Sequence, residues 1–247
     1  MQLTFKVVPG LRKNKLSVRD FIKFFGILVV LVVVSCDSSD ETSPIDTGKD
    51  HFPLHKGHFQ IYDVTETKYT LGVPETFEFE LKTVITDSFA NAGGNFTYVI
   101  HRSKRSSGET DFVDLDTWSA RIDNREAVVN EENVPFLKIK LPIAKGREWN
   151  GNTYNTQVED IYALEEVQTS FAVNGETFAD CIVINQNDNQ DFVVILDQRQ
   201  EVYAKNVGLI YKEVTLLNYC TIGSCLGQQQ VESGVIYKQS IKSYGVE

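Results

Sequence analysis

Phe77, Phe79 and Leu81 fall on one side of an extended backbone, with Glu78, Glu80 and Lys82 on the other. That period of two is the mark of an antiparallel sheet with one buried and one wet face, and a helix cannot satisfy it. The same grammar recurs along the chain. Strands are predicted at 59–64, 77–81, 96–101, 117–122, 127–129, 136–141, 157–168, 177–185, 192–197, 209–217 and 234–243. Turn chemistry separates them: Leu71-Gly72-Val73-Pro74, Asn91-Ala92-Gly93-Gly94-Asn95, Ser106-Ser107-Gly108, Asn150-Gly151, Asn174-Gly175 and Asn187-Asp188-Asn189. These residues tolerate positive φ or hydrogen-bond their own backbone. A brief helical turn is expected at 205–208, and no stretch of 51–247 has the period of a long helix. The expectation is one all-β domain over 51–247: a curled antiparallel sheet of about ten strands, either a sandwich or a partly open barrel.

The N-terminal segment has a different logic. Lys6, Arg12, Lys13, Lys15, Arg19 and Lys23 precede eleven apolar or small residues, Phe24 to Val34, which run into Ser35-Cys36. The apolar run is too short for a comfortable bilayer span, which needs about 20 residues, and suits a signal h-region. Val33-Val34-Ser35-Cys36 resembles the bacterial lipobox. The resemblance implies diacylglycerol on the Cys36 thiol, cleavage after Ser35 and acylation of the new amine (palmitate). Residues 1–35 are then a signal peptide. Residues 36–50, with Ile45 their single aliphatic side chain, read as a lipidated cysteine and a disordered acidic tether. Asp37, Asp40 and Glu41 resemble the export tag of Bacteroidota surface lipoproteins. They also resemble, through Asp37, an inner-membrane retention signal, and a plain solvated linker explains them as well. The outer membrane, on its periplasmic or surface face, is the expected location.

Removing 1–35 leaves 18 basic and 33 acidic residues, a net charge of −15. Such a surface excludes nucleic acid, whose affinity rests on Lys and Arg against phosphates. It also excludes electrostatic adhesion to anionic lipid, so acyl chains must hold the protein to its membrane.

Three stretches look familiar: Phe52-Pro53-Leu54 with Gly57, Phe59, Tyr62 and Val64; Trp149-Asn150-Gly151-Asn152; and Tyr203-Ala204 with Val207-Gly208-Leu209-Ile210. Together they resemble uncharacterised β-rich lipoproteins of Bacteroidota, distantly like the domains named DUF3108 or TapB-like. The resemblance implies a fold and a location but no activity.

Candidate chemistry is sparse. His51, His55 and His58 stand close in sequence, but Pro53 and Gly57 break the helix that His51 and His55 would need to share a ligand face. They read as exposed loop histidines, and no metal or cofactor is expected. His101 has no Gly-x-Ser-x-Gly elbow or other nucleophile to serve, so no enzymatic activity is expected. Cys220 and Cys225 can close a small disulfide loop worth about 2 kcal/mol in the chain-entropy account, leaving Cys181 as a buried thiol. Trp149, Asn150, Asn152 and Tyr154 have the composition of a sugar-stacking site, and equally of a loop folded back to plug the sheet. The Asp180–Asp191 run lacks the calcium-loop pattern and reads as a hairpin turn. Arg102-Ser103-Lys104-Arg105 reads as a solvated strand end. Three non-enzymatic roles follow: binding an unidentified ligand or protein partner, carrying an apolar molecule in a cavity lined by residues such as Phe77, Phe79 and Leu81, or binding surface glycans.

Overall fold

A computed structural model describes residues 47–90 and 93–247. The expected signal peptide, Cys36 and most of the expected tether lie outside the described residues. The domain is all β: β1 (His58–Thr70), β2 (Val73–Ala90), β3 (Phe96–Ser106), β4 (Val113–Ile122), β5 (Glu126–Glu131), β6 (Val134–Lys140), β7 (Glu148–Asn150), β8 (Ile161–Val173), β9 (Glu176–Asp191), β10 (Ile195–Ala204), β11 (Gly208–Tyr219) and β12 (Val231–Val246). All twelve belong to one antiparallel sheet in the order β6-β5-β4-β3-β2-β1-β12-β11-β10-β9-β8-β7. The alternation at 77–81 is only the middle of β2. Its hairpin with β1 turns where predicted, with Leu71 and Gly72 both at positive φ (51° and 79°). Asn174-Gly175 turns β8 into β9 in the same way (φ 49° and 81°).

The two edge strands, β6 and β7, meet and nearly close the sheet into a barrel. Trp149 on β7 buries its indole and donates from Nε1 to the Leu137 carbonyl at 2.9 Å. The Leu137 amide donates to Gly151 O at 2.9 Å, and Asn155 Nδ2 reaches Pro135 O at 2.9 Å. Behind these contacts a hydrophobic cluster joins Val128, Leu137 and Ile139 to Tyr162, Leu164, Ile182 and Ile184. Gly151 is required here, because a Cβ would lie 2.3 Å from the Tyr162 ring. A second cluster ties the Tyr62, Val64 and Leu81 side of the first hairpin to Cys181, Val183, Val202, Ile210 and Ile241. Edge strands expose unpaired amides, and bringing two edges together lessens that liability.

Four expectations change. The fold begins before residue 51: Lys49–His51 form a 3-10 turn, Ile143 N donates to Thr47 O at 3.2 Å, and Asn206 N donates to Asp50 O at 2.6 Å. The last residues of the expected tether are therefore part of the domain. Asn187-Asp188-Asn189 is no turn but the end of β9; the chain reverses at Asp191 to Val194. Its side chains are spent across the ladder, the Asn187 amide donating to Asp197 at 2.8 Å and the Asp188 carboxylate accepting from Gln198 at 2.9 Å. β10 takes in Gln198 to Tyr203, a stretch too polar to show strand periodicity. Residues 205–208 form a tight reversal, with Val207 N on Ala204 O at 3.1 Å and Asn206 at φ 62°.

Candidate functional site

Twelve strands wound round one axis cannot all fill the middle with side chains, and larger barrels enclose ligand space. This one leaves a half-open cavity of about 420 Å³. Each strand of the first hairpin contributes alternate residues to its wall: Gln60 and Tyr62 from β1, and Leu81, Thr83 and Ile85 from β2. At one end the wall is mainly apolar, with His58 and Gln60 as its polar members. Phe52, Pro53 and Leu54, just before β1, cross there together with Ile85 and Leu209. Toward the other end Glu66, Arg102, Glu132 and Tyr237 line both the cavity and a crevice that runs out to the exposed Phe77 and Leu115.

Set into this wall is a band of buried charge. The register places Gln239, Lys212 and Glu201 side by side on β12, β11 and β10. From β6, Lys138 reaches over to Glu201 at 2.9 Å and to Glu131 of β5 at 2.8 Å. Lys212 lies 3.4 Å from the same Glu201 oxygen, and the Tyr203 hydroxyl donates to the other at 2.6 Å. Two ammonium groups therefore face two carboxylates, with Glu201 1% exposed. Burial alone would raise the Glu201 carboxyl; Lys138 and Lys212 outweigh it and hold it at about 2. For Lys138, burial works against the charged form, and Glu131 with Glu201 overrides it, raising the ammonium above its ordinary value. Glu131 is lowered against its own burial by the same two lysines. Burial, then Glu201, keeps the Tyr203 phenol neutral far into the alkaline range. Lys138, Glu131 and Glu201 are therefore ionised at neutral pH.

Arg102 is the second charged element. It stacks its guanidinium carbon 3.5 Å from the Trp118 ring centroid and pairs with Asp116 at 2.9 Å. Arg102 Nε and Trp118 Nε1 are buried with no hydrogen-bond partner. Arg102 is thus an interior residue, contrary to the solvated strand end expected for 102–105. The alternation of β3 explains it: Arg102 shares a face with Ile100, which also lines the cavity, while His101 points outward to Asp114 at 3.4 Å. Lys104 and Arg105 lie over the rings of Phe79 and Phe112.

The other predicted positions resolve as follows. His51 and His58 are buried, not exposed. The ring nitrogens of His51 sit 3.2 Å from Gly48 O and 3.0 Å from Asp180 O. Burial, then His55, lowers the His58 imidazole against a contact with Val207 O. No cluster of three or more His, Cys, Asp and Glu placed to hold a metal occurs among the described residues. Cys220 and Cys225 form a disulfide in the loop between β11 and β12, and Cys181 is a buried thiol. Trp149 lies inside the seam. Asn150 Oδ1 accepts from the amides of Asn152 and Asp160, Asn152 Nδ2 reaches Val158 O, and Tyr154 donates to Glu126. Those side chains hold a loop together, and no indole face is left for a sugar. Leu81 lines the cavity as expected of a carrier; Phe77 and Phe79 line the crevice instead.

Lys138, Glu201, Glu131, Lys212 and Trp118 were not foreseen as a site. The available signal was Lys138 itself, a charge between Leu137 and Ile139 in a strand buried on both faces. Its partner is 63 residues away, and no local pattern announces it.

No protein-family model matches the chain, and the likeness to DUF3108 or TapB-like domains is not shown. No curated protein matches either. Among solved structures the chain is similar to a "putative exported protein with YmcC-like fold" from Bacteroides fragilis, at 9% identity and a TM-score of 0.44, over 78% of this chain and 98% of that one. It is similar also to a "putative lipoprotein" from Parabacteroides distasonis, at 10% identity and a TM-score of 0.42, over 79% of this chain and 98% of that one. Likeness at this level transfers no function.

Proposed function

We propose that the chain is an exported, non-enzymatic lipoprotein of a Bacteroidota cell envelope. Lipid on Cys36 holds it at the outer membrane, and the barrel carries a small ligand with an apolar part. The anchoring half rests on the basic segment, the short apolar run and Val33-Val34-Ser35-Cys36. Intact-mass analysis of the protein from its own envelope is expected to find a chain that starts at Cys36 and bears acyl groups. An unmodified chain that retains residues 1–35 would contradict it.

The cavity is the observation that carries the ligand half. Its volume of about 420 Å³ falls in the range of small-molecule sites, which are mostly apolar with a few placed polar groups. This interior has that make-up. Binding is expected to raise the fluorescence of N-phenylnaphthylamine, an apolar probe, added to the full chain held in amphipol. Thr83→Trp, which puts an indole into the cavity, should weaken that binding about tenfold or more, because a filled interior tolerates little added volume. Thr117→Trp, at an exposed position of β4, should leave it unchanged. Equal binding by both variants would place the probe elsewhere and remove the support for a carrier.

A further inference from the structure

The head-group chemistry of the ligand can be read from the wall, on the premise that the cavity is a binding site. Four charged side chains of the wall are neutralised within it: Lys138 by Glu131 and Glu201, and Lys212 by Glu201. Arg102 is matched by Asp116 at 2.9 Å, and Glu66 by Lys68 at 3.1 Å. An anionic head group entering this space would lose its hydration and find no free cation waiting for it, only the carboxylate of Glu132, which has no ion-pair partner among the described residues. A cationic one would meet that carboxylate only where it is exposed to water and would leave the buried donors unmet. The acidic surface adds a field that repels anions in particular. What the wall does have is two donors without acceptors, Arg102 Nε and Trp118 Nε1, on side chains stacked against each other. Buried donors are nearly always satisfied, so a pair left over at a cavity calls for acceptor oxygens. Away from this pair the wall becomes apolar toward Phe52, Leu54 and Ile85.

We propose that the cavity takes a single-chain amphiphile whose head group is uncharged and rich in acceptor oxygens, such as a fatty-acyl glycerol ester. Its tail lies toward Phe52 and Leu54, and its head-group oxygens accept from Arg102 and Trp118.

The test is displacement of N-phenylnaphthylamine from the full chain in amphipol, by monopalmitoylglycerol and by palmitate at a pH where palmitate is ionised. The glycerol ester should displace the probe at about tenfold lower concentration, the scale of one unmet buried hydrogen bond or an unpaired charge. Trp118→Phe keeps an aromatic surface under Arg102 but removes the N–H donor. It should weaken the ester about threefold or more relative to the probe, whose own affinity is titrated for each variant. Arg102→Met should weaken the ester likewise without favouring palmitate. Equal displacement by the two competitors, or a preference for palmitate, would overturn the head-group assignment while the carrier reading stood. An ester preference unaltered in both variants would overturn the assigned donors. Failure of the wild-type chain to bind the probe at all would instead sink the carrier reading beneath it.

Discussion

Replacing Lys138 by alanine is expected to cost about 3–5 kcal/mol of folding free energy, the range for removing one partner of a buried ion pair. The reason is what stays behind. Glu201 is 1% exposed and Glu131 lies 2.8 Å from the missing ammonium, so two carboxylates would share a single remaining cation, Lys212. The double variant Lys138→Met, Glu201→Leu should recover much of the loss. It keeps Glu131 and Lys212 as one acid and one base and fills the vacated volume with apolar atoms. Urea unfolding at neutral pH measures both. A single variant that loses less than about 1 kcal/mol, as an exposed pair would, would mean that the band is solvated and not part of a closed interior.

Acid should unfold the protein through the same residues. Glu201 is held at about 2 in the folded chain against an ordinary 4.5. A depressed carboxylate contributes stability that is fully present above its unfolded value and is lost as pH falls toward its folded one. The window for Glu201 therefore runs from about 4.5 down to about 2, and its size is about 3 kcal/mol. Glu131, Glu80 and Glu126 are also lowered and act in the same direction, Glu80 through its hydrogen bond with Lys242. The raised Lys138 is the same contact seen from its other end; it stays protonated throughout this window and adds nothing to the slope. Urea midpoints should fall steeply between pH 5 and pH 3 in the wild type. In Glu201→Gln they should start lower and fall less. Parallel curves for the two proteins would show that Glu201 is not the group being titrated.

The sheet was legible because its signals are local. Alternation at Phe77, Phe79 and Leu81 and the positive-φ pairs Leu71-Gly72 and Asn174-Gly175 depend on neighbours in sequence, and each fell where the chain extends or reverses. The greater part of β10, from Gln198 on, was hidden because its inner face carries Glu201 and its outer face Gln198 and Gln200, so no apolar period survives. The Asn187 to Asn189 stretch looked like a turn because turn-forming side chains also serve as cross-strand partners on a wet face. The candidate site was nearly invisible for a different reason. Its charges are buried only because strands far apart in sequence are wound together, and Lys138 near Leu137 reads like any surface lysine until β10 is placed opposite. Arg102 shows the same limit: in the run from Arg102 to Arg105 it looks solvated, and only the register with Trp118 and Asp116 turns it inward. The histidines erred in the same direction, since Pro53 and Gly57 argued against a helix but said nothing about burial.

The barrel's interior as the place of binding can be tested with its two tryptophans. Trp118 lines the cavity, whereas Trp149 is sealed in the seam against Tyr162 and Leu137. The measurement is emission from Trp149→Phe and from Trp118→Phe, each titrated with an acyl glycerol brominated along its chain. Strong, saturable quenching of Trp118 with little change at Trp149 is the predicted result. Equal quenching of both, or none of Trp118 under conditions where the amphiphile binds, would place the ligand outside the cavity and contradict the account.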